Sequence, residues 1–279
     1  MSAEELALRT DDGHGFMLRL RRPPGSRGGL LFLPALGVPA AKYDGFAGAL
    51  AGQGIAVAVP DWRGTASSSL RADRSTDWGY AQLLDQDLPA AVAALPTDLD
   101  WSLGGHSLGG QFAAMLAALG PRPCAGLVLV ATGVPHWRSY RGRQRWAIAA
   151  FAHALPALTR LVGHYPGERL GFAGREAGGL MRDWSRTVRQ GRYEGFGETV
   201  DIETAMAGVD CPALGVHFEH DPLVPVSTLH RLFEKLGPAA RRIERFDDAR
   251  LGARADHFRW LREPEAVARV VADWLPVSP

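Results

Sequence analysis

The segment Gly105-His106-Ser107-Leu108-Gly109 fits the pattern G-x-S-x-G. A serine hydroxyl attacks a carbonyl carbon only when it is exposed and a base removes its proton. The flanking residues address exposure. Trp101 to Gly105 reads as a strand and Leu108 to Leu119 as a helix, so Ser107 falls at the turn between them. So sharp a turn leaves no room for a side chain at Gly105 or Gly109 and strains the serine into an exposed position. The helix then aims its first N–H groups and its positive end at the reacting oxygen. The alternative is a serine in an ordinary glycine-rich turn.

A base and an acid must follow. His257, in Ala255-Asp256-His257-Phe258, is the only histidine after His230. It lies between the last strand candidate and the final helix, in a loop able to reach the carboxyl edge of a sheet. Asp221 follows the strand Ala213 to Phe218, within Asp221-Pro222-Leu223-Val224-Pro225. A buried carboxylate there would accept from the imidazole and fix its tautomer. Glu219 is the competing acid, and a helix cap near Val226 is the competing role for Asp221. The order serine, acid, histidine is the one such a strand–turn–helix site requires.

Short apolar runs alternate with amphipathic helical patterns around these positions. Strands are expected at Leu30–Leu33, Ile55–Val59, Trp101–Gly105, Leu127–Ala131, Ala213–Phe218 and Arg242–Phe246. Helices are expected from Lys42 to a stop at Gly54, over Trp78–Leu95 with a kink or fresh start at Pro89, and over Leu108–Leu119, stopped by Gly120-Pro121. Val226–Leu236 and a last helix from near Pro264 complete the series. Leu6–Arg9 and Phe16–Arg21, joined by Asp11-Asp12-Gly13, read as an antiparallel hairpin. Fully apolar strands alternating with helices mean an α/β fold, a mostly parallel sheet covered on both faces. The alternation breaks after Gly133. Residues 134–208 carry helical patterns at Ala147–Val162, with a break or kink at Pro156, and at Leu180–Arg189, but no obvious strand. The expected organisation is one core, 1–133 and 209–279, with 134–208 inserted as a helical cap or lid.

The 279 residues carry 46% hydrophobic side chains and a net charge of +1, which excludes a disordered chain and removes the global argument for a nucleic-acid partner. The two cysteines, Cys124 and Cys211, make no disulfide framework. His217 and His220, three apart around a strand end, would point apart, so no metal is expected. No apolar run approaches the ~18 residues of an integral membrane span, and the amino terminus lacks the apolar core of a signal peptide. A cytoplasmic location is the expectation. Arg138, Arg141, Arg143 and Arg145, beside Trp137, Tyr140 and Trp146, form a basic run that could attract an acidic substrate, a coenzyme A moiety or a membrane surface, or be a solvated face with snorkelling stems, the more common case. Trp146, Phe151, Leu155, Leu158, Leu161 and Trp184 could line an acyl pocket or form the insertion's own core.

Together, Gly105-His106-Ser107-Leu108-Gly109-Gly110, Asp221-Pro222-Leu223-Val224-Pro225 and Asp256-His257-Phe258 resemble the α/β-hydrolase superfamily over nearly the whole chain. Asp61-Trp62-Arg63-Gly64 looks like that superfamily's structural Asp-x-Arg-Gly turn. Leu33 to Ala40, Met181-Arg182-Asp183-Trp184 and Arg192-Tyr193 resemble a bacterial subgroup labelled serine aminopeptidase-like. The resemblance implies a serine hydrolase with Ser107 as nucleophile, His257 as base and Asp221 as its orienting acid. It implies no cofactor and a small-molecule acyl or ester substrate. Leu36-Gly37 stands where many members carry His-Gly, so the oxyanion hole is expected from the backbone N–H groups of Val38 and Leu108. Thioesterase, acyltransferase and peptidase chemistry share this triad, and a low-turnover receptor could share the fold.

Overall fold

A computed structural model describes residues 3–120, 122–197 and 200–276. Its main sheet has eight strands. The first are β1 (Glu4–Arg9), β2 (Gly15–Arg21), β3 (Gly29–Leu33), β4 (Ala56–Pro60), β5 (Trp101–His106) and β6 (Leu127–Val130). Two further strands, β7 (Tyr165–Pro166) and β8 (Arg175–Glu176), form a separate small ribbon in the segment between β6 and the next sheet strand. Then come β9 (Ala213–Phe218) and β10 (Arg241–Phe246). The order across the sheet is β1-β2-β4-β3-β5-β6-β9-β10. β1, β2 and β4 pair antiparallel, and every other pair is parallel. This is the mostly parallel sheet with helices on both faces that the alternation of elements predicts.

The apolar runs explain why the sheet is buried on both faces. Leu31, Leu33, Leu127 and Leu129 point into one hydrophobic cluster, with the helix Leu108–Leu119 and the Tyr80–Ala93 region. Their neighbours Leu30, Phe32, Val128 and Val130 point into the other, against the helices Asp44–Ala51 and Glu265–Trp274. The period of two along each strand divides one run between two cores.

Two prolines inside helical patterns resolve differently. Pro89 sits at the second residue of the helix Leu88–Ala93, directly after a widened π turn over Leu83–Asp87, so the helix restarts there. The helix Gly142–Val162 is instead continuous across Pro156, where a break or kink is expected from sequence. A proline there removes the hydrogen bond to the carbonyl four residues back. That carbonyl, Ala152, accepts instead from the buried Ser185 hydroxyl at 2.6 Å, on the packed helix Gly178–Gln190. Gly120 caps Leu108–Leu119 as expected; its companion Pro121 lies outside the described residues.

The Asp61-Trp62-Arg63-Gly64 turn acts structurally. Asp61 accepts from Ala40 N at 2.8 Å and from the Ser67 hydroxyl at 2.6 Å, while Trp62 Nε1 donates to Pro34 O at 2.8 Å. These bonds hold the loop after β3. Arg63, buried, pairs with Asp87 and Asp12, both at 2.7 Å, and its guanidinium holds the Asp12 carboxyl well below the usual range.

Candidate active site

Ser107 follows β5 and caps the helix Leu108–Leu119 with φ 55° and ψ −120°, a conformation that side-chain-bearing residues rarely adopt. Two glycines make this possible. A Cβ at Gly105 would lie 2.3 Å from the backbone of Gly109, and one at Gly109 would lie 2.1 Å from Leu33 O. Both obstacles are backbone, so neither can swing aside. The turn is pinned by Ser107 N donating to Val130 O at 3.0 Å and by the Thr132 hydroxyl donating to Ser107 O.

His257 and Asp221 meet at the same edge of the sheet. His257 Nδ1 lies 2.7 Å from Asp221 Oδ2, and both residues are buried. The other carboxylate oxygen accepts from the backbone N–H groups of Leu223, at 2.8 Å, and Val224, at 3.0 Å. A carboxylate so held can only accept, so it fixes the proton on Nδ1 and leaves Nε2 as the basic nitrogen. Glu219 is exposed, with its backbone N bound to Phe246 O. Of the two candidate acids it is Asp221 that meets His257. His220 turns away to Asp248, 3.5 Å distant.

His106 supports this arrangement from beneath. Its Nδ1 is 2.9 Å from the Tyr43 hydroxyl, which itself accepts from Ala35 N at 2.8 Å. Its ring packs 4.8 Å from that of His257 and 5.3 Å from that of Trp260. Burial, followed by the nearby charge of His257, pushes its pKa well below the ordinary imidazole value. A neutral ring packed beneath the turn is a structural support.

Ser107 stands in the wall of a cavity of about 600 Å³. Leu36, Leu108, Leu223 and Val224 surround it from the core, and Phe151, Leu158, Phe172 and Trp184 close it from the segment between β6 and β9. Of the apolar residues singled out in that segment, Phe151, Leu158 and Trp184 line the cavity. Leu155 is buried in the hydrophobic core. Trp146 and Leu161, 65% and 74% exposed, face outward.

Val38 is placed differently from the expectation. Its N–H donates to Ala35 O at 3.1 Å, closing a tight turn through Gly37, whose φ is +70°. It is therefore not free for an oxyanion. Leu36 lines the cavity and its N–H has no acceptor among the described residues. The shift of two positions arises because Pro34-Ala35, rather than Leu36-Gly37, directly follows the strand. The sequence signal that could have found it is the strand end at Leu33.

The family description Serine aminopeptidase, S33, matches residues 25–250. No functionally curated protein matches the chain. Among solved structures, a soluble variant of monoglyceride lipase from Saccharomyces cerevisiae, in complex with a substrate analog, superposes with a TM-score of 0.76 at 14% identity. That superposition covers 100% of this chain and 97% of that one. An esterase from Exiguobacterium antarcticum gives 0.65 at 17%, over 98% and 99%. A monoacylglycerol lipase from Paleococcus ferrophilus gives 0.60 at 19%, over 93% and 97%. At these identities the likeness is one of fold. In the described residues no helix is long and apolar enough to cross a membrane. With its family description spanning most of the sequence and its sheet, turn and strand order in agreement, the chain belongs to the serine aminopeptidase S33 family of α/β-hydrolases.

Proposed function

We propose that the protein is a serine hydrolase cleaving an ester-type bond of a small acyl substrate. Ser107 attacks the carbonyl carbon, and His257 Nε2 takes the hydroxyl proton. Asp221 holds the imidazole and stabilises its positive charge. The tetrahedral oxygen is held by the N–H groups of Leu36 and Leu108. Collapse of that intermediate passes the proton from His257 to the departing alcohol and leaves an acyl group on Ser107. Water, deprotonated by the same imidazole, then releases the acid. Residues 134–208 act as the cap over this site.

The observation that carries the reading is the strained Ser107 on a predominantly apolar cavity, at the sheet edge where His257 and Asp221 are bonded. The cavity also favours an acyl substrate over a peptide amino terminus. No carboxylate is among the described residues that line it, so an α-ammonium group would have no partner there. A fluorophosphonate probe together with p-nitrophenyl esters of increasing chain length tests this. Wild type should be labelled and turn over the esters. Ser107→Ala should abolish labelling, and His257→Ala should lower turnover by about 10³-fold or more while remaining folded. A folded wild type that neither labels nor hydrolyses any ester overturns the reading.

A further inference from the structure

The basic run after β6 finds a specific place in the fold. His136 is only 5% exposed, and its Nδ1 is buried without a hydrogen-bond partner. The Nε atoms of Arg145 and Arg231 are also buried without partners. Arg138 and Arg145 both stand over the Trp137 ring, 5.1 and 5.0 Å from its centre. Arg231 joins from the helix Val226–Phe233. A Cβ at Gly191 would lie 2.8 Å from the His136 ring and 3.1 Å from Arg231 Nη2, so the two side chains converge on bare backbone.

Among the described residues no carboxylate pairs with this group, and Arg138, Arg145 and Arg231 form no ion pair. Lys235, the other nearby cation, is already taken by Glu203 at 2.7 Å. Burial first, then the positive charges of Arg231, Arg138, Lys235 and Arg145, holds the His136 pKa down at about 4. Its ring is therefore neutral and offers a hydrogen bond without adding repulsion. Pro135, Gln144 and Thr228 line the cavity, and each is the chain neighbour, or the residue one helical turn away, of a cluster member. Three separate elements thus carry the cluster next in sequence to residues of the cavity wall, of which the four side chains are not themselves part.

We propose that His136, Arg138, Arg145 and Arg231 form an anion subsite that receives a phosphate or carboxylate group beside the acyl cavity. Arginine forks suit such groups because their paired N–H donors match two oxygens at once. The aromatic floor of Trp137 keeps the guanidinium planes in place. The link to a substrate rests on the hydrolase reading above; the anion site itself does not.

Calorimetric titration of the whole protein with inorganic phosphate, at constant ionic strength, tests the site without any turnover. One phosphate per chain should bind, and the His136 imidazole resonances should move with it. The Ser107→Ala variant should bind equally. Affinity should fall at least tenfold in Arg145→Gln/Arg231→Gln and stay unchanged in Arg254→Gln/Arg259→Gln, whose arginines lie beside Asp256. Absence of phosphate binding in wild type, or equal binding in the folded Arg145→Gln/Arg231→Gln variant, overturns the proposal. Esters bearing a carboxylate on the acyl side or on the alcohol side, each set against its neutral counterpart, separate the two sources of anion. A carboxylate ester that displaces phosphate and has a KM at least tenfold lower, lost in Arg145→Gln/Arg231→Gln at unchanged kcat, assigns the site to the substrate's own group. Phosphate binding with no such preference assigns it to a free anion.

Discussion

Tyr140 donates its hydroxyl hydrogen to the carbonyl oxygen of Leu223 at 2.8 Å. Leu223 belongs to the loop whose N–H groups grip Asp221. Gln144, one turn further along the same segment, donates to Pro222 O. The segment after β6 therefore touches the acid of the site through its backbone, not only the cavity through its side chains. Burial raises the Tyr140 pKa, so the hydroxyl stays protonated and able to donate.

Tyr140→Phe removes that donor and leaves the carbonyl unpaired. The expected loss of stability is about 1–2 kcal/mol. If the bond also positions Asp221, kcat should fall several-fold with KM little changed. Denaturant unfolding and ester kinetics on the one variant check both. Unchanged stability and kcat would show the contact to be passive.

Gly109→Ala should fail to fold or lose more than about 4 kcal/mol, because its Cβ would sit 2.1 Å from Leu33 O and 2.5 Å from Pro34 O, both backbone. Gly48→Ala is the control. Gly48 lies in the helix Asp44–Ala51 with nothing within 4 Å of its would-be Cβ. It should stabilise by about 0.5–1 kcal/mol. Thermal unfolding of both variants makes the comparison.

Glu176 carries a pH dependence of the opposite sense to an ordinary ion-paired carboxylate. It is buried in β8, where its carboxylate accepts from Gly174 N at 2.9 Å and its side chain packs against Gly37. Burial raises its pKa from 4.5 to about 7. Between those values the folded protein binds more protons than the unfolded chain, so stability falls as pH rises through that window and levels above it. Glu176→Gln should match wild type near pH 4 and exceed it by about 2–3 kcal/mol above pH 7. Denaturant midpoints across that range check this, and parallel curves would refute it.

The chemistry-bearing residues were the most legible part of the chain. Ser107 and Asp221 each follow a largely apolar strand that the sequence marks, while His257 follows β10, whose Arg-Arg-Ile-Glu-Arg-Phe run is mostly charged and is marked mainly by its place between two helical patterns. The helix Leu108–Leu119 matches its pattern residue for residue. The insertion was legible only in part. β7 and β8 are two residues each, too short for periodicity to mark. The helix Ile202–Ala207 is a short element started by the Asp201 cap, whose side chain accepts from Thr204 N at 3.2 Å. The continuity of Gly142–Val162 depends on Ser185, a partner thirty-three residues away that no local window includes. Alignment of Leu36-Gly37 by residue type favours Val38. The free N–H is set instead by where β3 ends and how the following turn closes.

The segment between β6 and β9 leaves from one strand and returns on its immediate neighbour, with Leu127 paired to Ala213. Because the two strands are parallel, it leaves the carboxyl end of β6 at Val130 and re-enters at the amino end of β9 at Ala213, so its two ends are fixed one strand spacing and the length of β6 apart, whatever its own length. Closure entropy grows only slowly with length. Such a segment is a cassette: it can be lengthened, shortened or exchanged while the platform of Ser107, Asp221 and His257 keeps its register. The one condition is written in the bonds from Tyr140 and Gln144. A replacement must arrive with its own donors for the carbonyls of Leu223 and Pro222, or the exchange would alter the acid along with the specificity.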